Sequence, residues 1–142
     1  MRVWRISEIV TLDGEGGIRV PGRWSLWGRP VVYTAASRAL AMLETIVHLE
    51  RAPPPRDFQL LELDIPDDLA STCWDGGDAP DIGISSAWGQ DWLIESATAL
   101  ARVPSIVSPG DANWLINPLH RDAAEIRIVT AIRHPWDARL FN

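Results

Sequence analysis

Residues 31–51 read VVYTAASRALAMLETIVHLER, and the division of this stretch decides the fold. Val31-Val32-Tyr33-Thr34 is β-branched and aromatic, the composition of a buried strand. Ser37 stands where a hydroxyl can cap a helix over residues 38–51. Pro53-Pro54-Pro55 stops that helix, because proline lacks the backbone N–H and clashes with the preceding turn. Ala39, Leu40, Ala41, Met42, Leu43, Ile46, Val47 and Leu49 surround the helix axis almost completely, which predicts a well-buried helix. A strand that runs directly into such a helix implies a sheet with helices packed on it.

Working outward, residues 3–6 predict a short strand and Gly14, Gly16 and Gly17 a loop. Gly22-Arg23-Trp24 after Pro21, and Gly28-Arg29-Pro30, predict turns. Residues 58–65 alternate, with Leu61, Leu63 and Ile65 against Glu62 and Asp64, as in a strand with one wet face that Pro66 ends. Residues 67–83, rich in Asp and Gly, read as loop, and residues 86–101 as a second helix with Trp88, Trp92 and Leu100 among its apolar positions. Residues 103–107 predict a short strand with Pro104 at its start, turned by Pro109-Gly110; residues 113–117 are ambiguous. Residues 126–132 predict a strand and 136–141 a terminal extended segment. With no internal repeat and no linker, residues 1–142 predict a single α+β domain, a mixed β-sheet core with flanking helices.

Composition narrows the function classes. The chain is 46% hydrophobic and 23% charged, a globular balance that argues against disorder. All 13 basic residues are arginine, against 19 acids, for a net charge of -6. A net-acidic chain is a poor nucleic-acid reader, because affinity there comes mainly from neutralising phosphates. No apolar run of about 18 residues is present to span a membrane. The N-terminus has no apolar core of a signal peptide, so a cytoplasmic protein is expected. The single Cys73 excludes a disulfide framework and a cysteine-rich zinc site. His48, His120 and His134 have no metal-ligand spacing, so no metal is expected. The missing lysine reads as codon bias of a GC-rich genome; it also removes a P-loop lysine and Schiff-base chemistry.

Four residues carry candidate chemistry. Glu44 lies inside the apolar helix, where a carboxylate needs either a buried partner, such as one of the arginines, or a polar cleft in which it stabilises a cation. Arg23, in its Gly-Arg-Trp loop, is either a surface arginine packed on Trp24 or a planar fork for phosphate. Tyr33, the sole tyrosine, is either a core residue with a satisfied hydroxyl or a platform for a flat ring. Ser105 lacks a G-x-S-x-G nucleophile elbow and by itself indicates nothing. The glycines at 14, 16 and 17 lack the strand–loop–helix context of a dinucleotide fingerprint.

An ordered set of segments resembles the RES-domain family: Val3-Trp4-Arg5-Ile6, Gly22-Arg23-Trp24, Val31-Val32-Tyr33-Thr34-Ala35, and Ala41-Met42-Leu43-Glu44-Thr45-Ile46-Val47-His48-Leu49-Glu50. Downstream come Gly89-x-x-Trp92, Val103-Pro104-Ser105, Asn113-x-x-x-Asn117-Pro118-x-His120 and Asp137-x-Arg139-Leu140-Phe141. No single segment is specific, but the order spans nearly the whole chain. The arginine, glutamate and serine of the family name match Arg23, Glu44 and Ser105. The resemblance implies an ADP-ribosyltransferase-like fold and a bacterial type II toxin that acts on NAD+, with an Xre-like helix-turn-helix antitoxin blocking its cleft. Within that family some members destroy NAD+ by hydrolysis or phosphorolysis, and one branch ADP-ribosylates phosphoribosyl pyrophosphate synthetase.

The residues agree with that chemistry. Cleaving the nicotinamide–ribose bond passes through an oxocarbenium-like state, as in glycoside hydrolysis. Under the resemblance Glu44 suits the ribose, Arg23 the pyrophosphate and Tyr33 the nicotinamide ring. Ser105 suits the nicotinamide amide or the orientation of Glu44, and Trp24 and Asn117 join the candidate NAD+-binding residues. Trp24 and Trp114 read first as packing residues. Three functions remain open: NAD+ depletion, mono-ADP-ribosylation of a host protein, and a non-catalytic antitoxin-binding module. An antitoxin C-terminal segment, its carboxylate mimicking a phosphate, is expected at Arg23. A homodimer is compatible with eight tryptophans, though nothing in the sequence requires one.

Overall fold

In the computed structural model, which describes residues 1–19, 21–49 and 57–141, seven strands form one mixed sheet. In chain order the elements are β1 (Arg2–Ser7), α1 (Glu15–Arg19), β2 (Val32–Ala35), α2 (Arg38–Ile46), β3 (Gln59–Asp64), β4 (Ser71–Cys73), α3 (Ile82–Glu95), β5 (Leu100–Pro104), β6 (Ala112–Ile116) and β7 (Arg127–Arg133). Single 3-10 segments occupy Arg121–Glu125 and Ala138–Phe141. The strand order is β4-β5-β6-β2-β1-β3-β7, antiparallel throughout except for the parallel β4–β5 pair. The architecture is α+β, as the sequence predicts.

Paired residues share a face and successive residues alternate faces, so the register sorts the core. Val3, Val32, Leu61, Leu63, Leu100 and Ile116 fill one face, closed by Ile65 and Ile126. The opposite face carries both long helices. Leu40 and Ala41 of α2 pack with Ala35, Trp4 and Ile6. Trp92 and Leu93 of α3 pack with Ala101, Val103 and Leu115. Between the two clusters, on this same face, lie Tyr33 and Asn113.

Several predicted elements move. The helix predicted over 38–51 starts as expected, with Ser37 Oγ accepting from Leu40 N at 3.1 Å, but α2 ends at Ile46. His48 N and Leu49 N then bond three residues back, to Thr45 and Ile46, which tightens the chain out of the α-helix. Its predicted end at residue 51 and the Pro53–Pro55 stop lie outside the described residues. Nor is α2 buried all round: Leu43 and Val47 are 47% and 55% exposed, because the sheet covers only the Leu40–Ala41 side.

The second helix begins earlier than residue 86, because Asp81 caps it by accepting from Gly83 N at 2.9 Å. It also ends earlier: Ser96 takes the left-handed conformation at φ 52°, and Leu100 belongs to β5. The predicted strand 103–107 is therefore β5, shifted back, with Pro104 at its end, where a missing N–H costs no ladder bond. The loop predicted over 67–83 contains β4, and the glycine loop near residue 14 runs into α1. The ambiguous segment 113–117 falls in the interior strand β6, and the predicted extended end 136–141 instead closes in a 3-10 turn. Among the described residues no helix is long and apolar enough to cross a membrane.

The buried side of α3 is small: Ser85, Ser86 and Gly89 precede Trp92 and Leu93. That lets the segment around Trp24 lie directly on the helix, and a Cβ on Gly89 would run into the Trp24 carbonyl. Gly89→Ala should therefore destabilise the protein by roughly 1–3 kcal/mol through overpacking against rigid backbone. Thermal unfolding checks this, and an unchanged Tm would show that the segment is not seated there.

Candidate active site

Glu44 reaches the site because β2 turns into α2 within two residues, and the capped helix carries the carboxylate back over the sheet. Glu44 Oε1 accepts two hydrogen bonds, from Ser105 Oγ at 2.8 Å and from Asn113 Nδ2 at 2.6 Å. Of the alternatives open from the sequence, the arginine salt bridge is not what forms: Glu44 joins no ion pair among the described residues. Its Oε2 takes no hydrogen bond from them either.

Ser105 is fully buried just beyond β5. Its backbone N donates to Asp111 O at 2.9 Å and its hydroxyl accepts from Ser108 N at 3.1 Å. The hydroxyl proton is thus directed at Glu44. Asn113 lies in β6 opposite Ala35 on one side and Val103 on the other. Its Oδ1 is buried and unpartnered among the described residues, a condition that costs about 1–3 kcal/mol. Sequence reasoning gave Asn113 no role; the available signal was an asparagine inside a strand-forming run.

Arg23 sits on the α3 side of the same sheet face. Gly22 and Ser25 close a tight turn by mutual backbone bonds of 3.1 and 3.4 Å. Ser85 Oγ on α3 holds the Arg23 carbonyl at 2.6 Å. The half-buried Arg23 side chain makes a long bond, Nη1 to Pro80 O at 3.3 Å, and no ion pair among the described residues. Most of its donor fork is therefore free to meet an anion.

Tyr33 links the two sides. Its hydroxyl lies 2.7 Å from Ser25 Oγ and accepts from Trp24 N at 3.3 Å, beside Arg23. Two residues along β2, about 7 Å at the strand rise, Ala35 pairs with Asn113, which holds Glu44. Behind the strand, Arg5 Nη1 donates to the Tyr33 carbonyl at 3.1 Å, where β1 and β2 share only the Trp4–Ala35 pair. The Tyr33 hydroxyl is satisfied, as in the core reading, while its half-buried ring borders the cluster under α3.

Two expected NAD+-binding residues are placed elsewhere. Trp24 is 3% exposed and packs edge-on against Trp74 and Trp88, with centroids 5.2 and 5.7 Å away, so it is a packing residue. Asn117 is 2% exposed, and its side chain is spent on the chain itself. Its Nδ2 donates to Ser96 Oγ at 3.1 Å and its Oδ1 accepts from Leu119 N at 3.1 Å. Trp114 lies half-buried against the opposite core cluster, away from α2 and α3.

Burial raises the Tyr33 pKa above the ordinary phenol value, partly offset by the bonds from Ser25 and Trp24. The neutral hydroxyl thus contributes stability that is full below the unfolded pKa near 10 and is lost as pH rises through the folded value. Because Tyr33 is the sole tyrosine, phenolate absorbance should rise only above pH 10 in the folded protein. An ordinary midpoint would contradict its place in the turn.

Comparison with known proteins identifies the family and the fold. The RES domain model matches residues 2–137. "Toxin Res" of Pseudomonas putida is 38% identical over 146 residues, covering 99% of this chain and 100% of that protein. "Prs ADP-ribosylating toxin" of Sphingobium sp. is 36% identical over 156 residues, covering 98% and 96%. The crystal structure of the M. tuberculosis MbcT–MbcA toxin–antitoxin complex matches at TM-score 0.75 and 18% identity, covering 99% of this chain and 86% of that one, which shows a shared fold. With its glutamate, serine and arginine on one sheet face and its family model spanning nearly every residue, this chain belongs to the RES domain family.

Proposed function

We propose that this protein is the toxin of a toxin–antitoxin pair, binds NAD+ across the face between α2 and α3, and breaks its nicotinamide–ribose bond. The observation that carries this proposal is the Glu44 carboxylate, held through one oxygen by Ser105 and Asn113 with the other oxygen uncommitted. Glu44 Oε2 binds the ribose hydroxyls, and the fixed negative charge stabilises the cation that develops at C1′. The bonding pair of the glycosidic bond leaves with nicotinamide. Water, or phosphate, adds to C1′ and releases ADP-ribose, or its 1″-phosphate, with a proton lost from water. Arg23 holds the pyrophosphate through its free N–H groups, and the Tyr33 ring walls the nicotinamide. Ser105 orients Glu44 and is not a contact to the nicotinamide amide. No metal takes part, and the setting is the cytoplasm.

A second reading, transfer of ADP-ribose to a host protein, has its own support in the Sphingobium relative. That protein is named for ADP-ribosylating Prs and matches almost end to end. The chain contains no lysine, so an acceptor lysine would belong to the other protein. An antitoxin partner is supported by the toxin–antitoxin complex that contains a chain of this fold; we take it to be Xre-like and helix-turn-helix, with its C-terminal segment covering Arg23.

Mass analysis of products from NAD+ with and without phosphate, and with labelled NAD+ in cell extract, separates these outcomes. Nicotinamide release by the purified chain is expected, and one labelled protein band in extract would select transfer instead. Glu44→Gln should lower kcat by about 10²–10³-fold, the usual cost of losing one preorganised electrostatic contact. Arg23→Gln should act mainly on the KM for NAD+. Absence of turnover and of labelling by the parent protein would refute both readings, as would equal growth inhibition by parent and Glu44→Ala.

A further inference from the structure

Asn113 has no part in the chemistry assigned to the family triad, yet it makes the shorter of the two bonds to Glu44, 2.6 Å against 2.8 Å from Ser105. Its side chain is not spent on the fold: Oδ1 is buried and unpartnered among the described residues. The backbone of β6 is held by its register with β2 and β5, without help from the amide. Only one amide orientation is tolerable here, because the other would press Oδ1 against the Glu44 carboxylate. The planar amide from β6 and the hydroxyl from the end of β5 therefore converge on one oxygen from two directions. A single donor would let the carboxylate pivot; two, one just beyond β5 and one in β6, restrain it and leave Oε2 without a hydrogen bond among the described residues.

We propose that Asn113 is a positioning residue, whose amide, together with the Ser105 hydroxyl, aims Glu44 Oε2 at the ribose. This role presupposes the NAD+ reading of the site and specifies how its carboxylate is held.

The test compares Asn113→Ala, Asn113→Asp, Ser105→Ala and the double alanine variant in steady-state NAD+ cleavage. Asn113→Ala should lower kcat by about 10–100-fold, the scale of a misplaced reacting group, with the KM for NAD+ within roughly twofold. The double variant should lose less than the product of the single losses, because either loss alone already frees the carboxylate to pivot. Asn113→Asp keeps the shape but replaces the donor with a second carboxylate, so it should fall at least as far as alanine. A purely structural asparagine predicts the reverse order. An unchanged kcat in Asn113→Ala, or better activity in Asn113→Asp than in Asn113→Ala, overturns the proposal.

A second readout needs no turnover. In a ¹⁵N-labelled sample one side-chain amide proton of Asn113 should resonate downfield, and Glu44→Gln should move it upfield. An Asn113 signal indifferent to Glu44→Gln overturns the clamp. A parent that holds this signal but leaves NAD+ intact refutes the NAD+ reading alone.

Discussion

One carboxylate oxygen, Glu44 Oε1, joins α2 to two sites close together further down the chain, just beyond β5 and near the start of β6, 61 and 69 residues away. A charged group on an otherwise apolar helix must find donors or water. Here it finds a hydroxyl and an amide, neutral donors that satisfy it without cancelling its charge. An arginine in the same place would have held the helix equally well and neutralised the site. The distinction between an ion pair and a neutral clamp is what leaves a net negative charge available for a developing cation.

The rest of the architecture serves to bring Arg23 to the same face without letting it reach Glu44. β2 is the spacer. Its Tyr33 hydroxyl ties down the 22–25 turn, and its Ala35 end pairs with Asn113. α3 supports the turn from the other side through Ser85 and the bare backbone at Gly89. The tryptophans belong to this scaffold. Trp24, Trp74 and Trp88 meet edge to face, an arrangement that ring quadrupoles favour, and consolidate the α3 side of the face.

The candidate site was partly legible in the sequence because its residues sit where local rules are strong. Glu44 is visible as a charge out of pattern on an apolar helix, and Ser37 as the cap that starts that helix. Tyr33 is visible as the sole tyrosine on a β-rich run. Asn113 was visible only as one residue of a motif and its role was not, because that role depends on which strand lies beside β2, and strand order is not a local property. Asn117 and Trp24 entered the candidate ligand residues through familiar motifs, although Trp24 read first as packing, and the fold encloses both. β4 has only three residues, too few for an alternation pattern to emerge.

By itself the sequence determined the strand-to-helix passage at residues 31–46, the α+β class and the family, because propensity, capping and ordered motifs act over short spans. Only the tertiary structure decided how deeply α2 is buried, where α3 and β5 begin and end, and what partners Glu44. Those depend on which surfaces the sheet covers and on donors that the chain supplies 61 and 69 residues away. A carboxylate's need for a partner is written into its own residue type; the identity of that partner is a matter of strand register.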